Sequence, residues 1–136
     1  MFSTNFATTK DLVSALSAGH PECLKKAYHL GWLEQQDLID PSSPLERRHL
    51  ARILRQYLLS QGEPDTEDVS ASFALKDLYD CRTCAAHIMQ IYAKGIMSGY
   101  YLSPTLYLFN GQEFVTQDEL NETLKRVYHP EYRIHR

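Results

Sequence analysis

The sequence predicts a mostly α-helical fold: two pseudo-repeated helix-loop-helix units packed as a small helical bundle, with a short β-hairpin in the second unit. Three observations predict it. Apolar residues recur at helical spacing along most of the chain, Gly19, Gly31 and Gly95 stand just past such runs, and Asn110-Gly111 sits within a stretch, 99–115, rich in Tyr, Leu and Phe. The chain has 136 residues, 43% of them apolar and 23% charged, with a formal net charge of -3. That is enough apolar surface for one packed core, and it excludes wholesale disorder. The mild acidity, with a pI near 6.0, argues against a nucleic-acid binder that relies on broad basic charge. No stretch reaches the roughly 18 consecutive apolar residues of a membrane span.

Leu12, Val13 and Leu16 define a first short helix over Asp11–Ala18, stopped by Gly19. Pro21 suits the first turn of a second, whose apolar members are Leu24, Ala27, Tyr28 and Leu30, with Gly31 as its exit. After a loop over 40–43, Ser43, Pro44 and Glu46 read as a capping box around a first-turn proline. Leu50, Ile53, Leu54, Tyr57 and Leu58 then follow at helical spacing. The stretch 61–72 is acidic and polar and reads as a surface linker. Beyond it, Cys81, Cys84, Ala85, Ile88, Ile91 and Tyr92 line one stripe of a helix over Leu78–Tyr92, ended by Gly95. A hairpin turning at Asn110-Gly111 is expected to pair Tyr107-Leu108-Phe109 with Glu113-Phe114-Val115. Thr116 and Glu119 open a last helix with Leu120, Leu124 and Val127 inward, and Pro130 and a basic tail close the chain.

The two halves are similar to each other. Ala27-Tyr28-His29-Leu30-Gly31-Trp32-Leu33 aligns with Ile91-Tyr92-Ala93-Lys94-Gly95-Ile96-Met97 at an offset of 64, and Leu45, Leu50, Leu54 and Arg55 align with Val115, Leu120, Leu124 and Lys125 at an offset of 70. The difference of six falls in the expected hairpin, where an insertion costs little closure entropy. The reading is one domain over 1–136: pseudo-repeat one over about 20–60, the acidic linker over about 61–72 and pseudo-repeat two over about 73–128. Neither unit buries its apolar faces alone, so the two are expected to pack together.

Cys23, Cys81 and Cys84 are an odd set with no disulfide framework, and they read as free thiols in a reducing compartment. Cys81, Cys84 and His87 contain half of a zinc motif without its second pair, so both cysteines are expected to pack as small hydrophobes. A lowered thiol pKa at a helix start is the lesser alternative. The chain shows six histidines but no nucleophile elbow, no Gly-rich phosphate loop and no paired-His helix, so no catalysis, cofactor or metal is expected. The polar Met1 to Lys10 stretch lacks the pattern of an export signal, and a cytoplasmic location follows from that reading.

Lys76-Asp77-Leu78-Tyr79, Tyr92-Ala93-Lys94-Gly95-Ile96-Met97-Ser98-Gly99 and Phe114-Val115-Thr116-Gln117-Asp118-Glu119-Leu120, in that order, resemble the S-layer homology repeat. The first half resembles it through Gly31-Trp32-Leu33 and Pro44-Leu45-Glu46-Arg47-Arg48-His49-Leu50-Ala51, and together the matches span about residues 22–128. The resemblance implies a helical bundle that anchors bacterial proteins to cell-wall polysaccharide, hence a cell-envelope location. It also implies a module of three repeats, two of which are legible. The family's polymer-binding arginine maps onto Arg47 in the first half and onto Gln117 in the second.

The candidate ligand contacts are therefore Arg47 and Arg48 for anionic charge, Trp32 and Tyr100 for stacking, and the Gly95 and Gly99 backbone for close approach. Each has an ordinary structural role beside it. Helix-start arginines pair with nearby carboxylates, and a lone tryptophan anchors a core. Tyr100, Tyr101, Tyr107 and Phe109 alternate across the expected hairpin, so half of them face outward. The second functional reading is a cytoplasmic protein-interaction or oligomerisation module that uses the hairpin over 100–115.

Overall fold

The computed structural model describes residues 5–136; the first residues of the polar N-terminal stretch, 1–4, lie outside them. It is built on three short extended segments, 6–8, 44–46 and 114–116, each of which runs directly into a helix. The central residue of each is buried: Ala7, Leu45 and Val115. Their backbones close a ring, Ala7 N–H donating to Val115 O (2.8 Å), Val115 to Leu45 O (2.8 Å) and Leu45 to Ala7 O (2.9 Å). Flanking residues pair as Phe6 with Thr116, Thr8 with Pro44 and Glu46 with Phe114. Buried polar backbone must be bonded somewhere, and here each segment satisfies the next.

The helices leaving this junction are α1 (Thr9–Leu16), α3 (Arg47–Ser60) and α5 (Gln117–Tyr128), while α2 (Cys23–His29) and α4 (Arg82–Ala93) precede the second and third segments. α1 packs against α2, and α3 against α4. Leu12, Val13, Leu50, Ile53, Leu54, Ile91, Ile96 and Met97 fill the core between them. α1 begins two residues before the expected Asp11, because Thr8 caps it and shares reciprocal hydrogen bonds with Asp11 (3.1 and 3.0 Å). α3 is not capped by Ser43 as the sequence suggested. Its N-cap is Glu46, without a side-chain bond. The free N–H groups of its first turn are taken instead by the backbone of the next loop, Arg47 donating to Glu113 O (2.8 Å) and Arg48 to Gly111 O (2.9 Å).

The hairpin forms one step earlier than expected. β1 (Tyr100–Ser103) pairs antiparallel with β2 (Leu106–Leu108) in the register Tyr100 with Leu108, Tyr101 with Tyr107 and Ser103 with Leu106, with an irregularity between Tyr101 and Ser103. Glu113-Phe114-Val115 is unavailable to pair with 107–109 because the junction holds it. Asn110 (φ 62°) turns the chain toward that junction, and the Asp77 carboxylate accepts the Phe109 and Asn110 N–H groups, both at 2.8 Å. α4 likewise starts later than expected, at Arg82, with Cys81 as its N-cap.

α2 and α4 end alike. Trp32 N–H bonds Ala27 O (3.0 Å) past Gly31, and Ile96 N–H bonds Ile91 O (3.1 Å) past Gly95. The acidic 61–72 stretch is tied to both halves: Glu63 accepts from Lys94 (2.8 Å) and Arg133, Asp65 accepts from Arg55 (2.6 Å), and Thr66 exchanges hydrogen bonds with Gln90. The C-terminal tail folds back as a strap, Ile134 N–H bonding Gly95 O (2.9 Å) and the Arg136 guanidinium lying 3.7 Å from the Tyr92 ring centre.

Gly95→Ala is expected to destabilise the protein by more than about 1 kcal/mol and to expose the tail to carboxypeptidase. Gly95 has φ +74°, and an added Cβ would stand 2.1 Å from Ile134 O. Urea denaturation together with tail proteolysis checks both effects.

Candidate functional site

The six residues singled out for ligand contact have different fates. Arg47 lies at the first position of α3, only 2% exposed. Its Nε donates to Phe109 O (2.9 Å), Nη1 donates to Glu119 and to the Tyr100 hydroxyl (3.2 Å), and Nη2 donates to Ser98 O. Tyr100 and Phe109 both place a ring centre 4.7 Å from the guanidinium carbon. Tyr100 in turn donates to Glu119 (2.6 Å). Burial and that hydrogen bond raise the Tyr100 pKa against the lowering influence of Arg47. The Arg47 charge is thus neutralised inside the protein, where it ties α3 to α5 and the hairpin. Glu119 gives its carboxylate to this cluster, leaving the Thr116 hydroxyl alone to cap α5, at 3.1 Å from Glu119 N.

Trp32 is 3% exposed, donates to Ser60 Oγ (2.7 Å) and meets the Tyr57 ring edge-on at 4.9 Å. It anchors the core. The close approaches at Gly95 and Gly99 are made by the chain itself: Ile134 covers the first, while Leu108 O and the Tyr107 ring stand under 3 Å from a Cβ built on the second. Of the six, Arg48 lines an open groove beside the start of α3. Tyr100 keeps an exposed edge, 40% accessible.

That groove, about 340 Å³, lies between the start of α3, the 110–112 turn and the start of α4. Its wall is Ile88, Leu106, Leu108 and Phe109, and its polar groups come from Arg48, Lys76, Asp77, Asp80 and Gln112. Asp77 is consumed by the turn it fixes, and Arg48 is partly balanced by Glu46 at 2.8 Å. A second groove of about 320 Å³ lies one step round the junction, between α1 and the loop over 36–46. The two correspond: Arg48 N–H reaches Gly111 O in the first, and Lys10 N–H reaches Pro41 O (3.0 Å) beside the second. The second carries Asp37, Asp40, Glu46 and His49, so its character is acidic. A smaller hollow of about 110 Å³ lies over Arg47, Tyr100 and Glu119.

Lys76, Asp77 and Gln112 come to the first groove by tertiary folding. Lys76-Asp77 was visible only as the opening of the second repeat, and Gln112 carried no signal. The expectation of three free thiols is corrected: Cys81 and Cys84 form a disulfide, with Cα atoms 5.2 Å apart, and Cys23 alone is free and buried. Cys81 caps the helix instead of lying on its stripe, so its Sγ meets that of Cys84 one turn on. Among the described residues no group of His, Cys, Asp and Glu side chains is assembled to hold a metal ion. Among the described residues no helix is long and apolar enough to cross a membrane. No family model, curated protein or solved structure matches the chain.

Two ion pairs brace the α3 side of the groove region, Arg52 with Asp37 (2.6 Å) and Arg55 with Asp65 (2.6 Å). Each arginine also meets a histidine ring at 3.3 Å, His49 and His87 respectively. Burial first, then the neighbouring guanidinium, holds both histidines below the ordinary pKa. Glu63 is also lowered: burial opposes ionisation there, but the hydrogen bonds from Arg133 and Lys94 outweigh it.

Two tests follow from this geometry. Arg47→Ala strands the Glu119 carboxylate, which is partly accessible (21%), and is expected to cost about 3 kcal/mol. Arg48→Ala, in contrast, is expected to stay within about 0.5 kcal/mol of the parent; urea melts of both variants check this. In the pH direction, a histidine whose folded pKa is depressed takes up its proton in the unfolded chain first. Stability is therefore expected to fall as pH drops from about 6.5 toward the folded values. The lowered Glu63 adds a further loss at more acidic pH, as protonation proceeds down through its folded pKa. Melting temperatures across pH 4–8 for the parent and the His49→Gln/His87→Gln double variant separate the two effects, the double variant flattening only the upper one.

Proposed function

We propose that this protein is a non-catalytic binding module of the S-layer-homology type, and that its ligand is an anionic cell-wall glycan of a bacterium held in the Arg48–Lys76 groove. The observation that carries the reading is the cyclic junction of three segments with an open groove beside it, which offers two cations and an aliphatic-aromatic wall in one place. The third unit that the resemblance calls for is supplied in this reading by the N-terminal segment and α1, which stand to the junction as segments 44–46 and 114–116 do. An arginine fork suits saccharide carboxylates, and Leu106 and Leu108 give sugar rings an accessible apolar floor. A disulfide is at home in an oxidising compartment, which agrees with work at the cell envelope. The charge contact passes from Arg47, whose donors are occupied, to its neighbour Arg48.

Co-sedimentation with Gram-positive cell walls, before and after removal of the secondary polysaccharide, tests this. The parent is expected to pellet only with intact walls, and Arg48→Ala/Lys76→Ala to bind about tenfold or more weakly while melting like the parent. Equal binding by the double variant, or a chain that stays in the supernatant with every wall tested, overturns it.

One observation favours the second reading. Tyr101 is 71% and Leu102 61% exposed on the hairpin, an apolar edge open to another chain. A self-associating or partner-binding module is expected to lose that association in Leu102→Lys, read by sedimentation velocity.

A further inference from the structure

We propose that Cys81–Cys84 is a thiol–disulfide exchange site that opens on the Arg48–Lys76 groove, reducible by small thiols without unfolding the protein. The inference does not rest on the glycan reading. It begins from position. Cys81 lines the wall of the groove, whereas Cys84, three residues on, packs against the hydrophobic core. Both residues are half-buried, but the two sulfurs are inequivalent: Cys81 borders a cavity large enough for a small thiol, whereas Cys84 packs on the core side.

The local backbone supports both states. Cys81 is the N-cap of the 12-residue helix α4, and its carbonyl already accepts Cys84 N–H (3.1 Å) and Ala85 N–H (3.0 Å). The helix start thus holds together without the S–S bond. Reduction leaves a sulfur at the N-cap, where unpaired N–H groups and the positive end of the helix favour a thiolate. Arg48 and Lys76 add positive charge to the same groove, opposed by the Asp80 carboxylate next in the chain. The pair closes a loop with a sequence separation of three, so the bond removes little chain entropy from the unfolded state. A bond that adds little stability and faces a cavity is placed for exchange more than for stapling.

The chemistry balances. A thiolate RS⁻ attacks Cys81 Sγ, a mixed disulfide forms there, and Cys84 leaves as a thiolate that takes up a proton. A second RS⁻ attacks the RS sulfur of that mixed disulfide, and Cys81 leaves as the thiolate. The product is RSSR; the protein has gained two electrons and the two small thiols have lost them. Cys84 is the resolving sulfur in the reverse direction.

The test uses the full chain equilibrated in mixtures of reduced and oxidised glutathione, alkylated without denaturant and weighed intact. The expected result is a single two-electron transition that adds two alkyl groups, with Cys23 unmodified and the far-UV circular dichroism unchanged. Cys84→Ser should then form a mixed disulfide with glutathione at Cys81 about tenfold or more faster than Cys81→Ser does at Cys84, as cavity access and the helix start predict. Reduction only in denaturant, loss of helix on reduction, or equal rates for the two single variants would each overturn the proposal. Because the parent chain is scored by mass before any substitution is made, a variant that misfolds does not decide the outcome.

Discussion

Everything in this protein depends on the closed ring of backbone hydrogen bonds among Ala7, Val115 and Leu45. Three segments far apart in the chain each donate one bond and accept one, and no two of them can satisfy the third's absence. The helices α1, α3 and α5 leave from this ring, so their relative directions are set where they begin. Loops preceding two of the segments then reach over neighbouring helix starts and take N–H groups that a helix cannot pair internally. The grooves are a consequence: each lies where such a loop crosses a helix start.

The Arg47–Glu119–Tyr100 cluster is the side-chain counterpart of the ring. A buried guanidinium is tolerated only when its donors are met, and here carbonyls of Ser98 and Phe109, a carboxylate and a phenol meet them. These acceptors come from the α4–β1 connection, the end of the hairpin and α5, so the arginine fixes three elements against α3. That commitment also decides which positive charge stays available. Arg48, one residue on, points to the groove, and a ligand reading has to rest on it and on Lys76.

Much of the architecture was legible in the chain. The inward faces Leu50-Ile53-Leu54-Leu58 and Leu120-Leu124-Val127 were set by periodicity, and the α2 and α4 ends by Gly31 and Gly95. The misplaced features share one cause, competition from partners distant in sequence. Asn110-Gly111 has the chemistry of a hairpin turn, but Phe114 and Val115 gain more by joining Glu46 and Leu45 than by folding back on 107–109. Ser43 and Glu46 have the chemistry of a capping box, yet the 111–113 backbone reaches the helix start first. The site was legible only in part. Arg48 stood in a marked motif, while Trp32, Gly95 and Gly99 turned out to serve the core, the tail and the hairpin.

By itself, then, the sequence determined the helical class, the faces that turn inward and the two glycine-ended helices, because these follow from spacing and local backbone preference within a few residues. Only the tertiary structure decided the threefold junction, the burial of Arg47, the pairing of Cys81 with Cys84 and the groove where Arg48 meets Lys76. Each of those is a choice among several locally acceptable partners. That choice is settled by which long-range pairing satisfies every buried polar group at once.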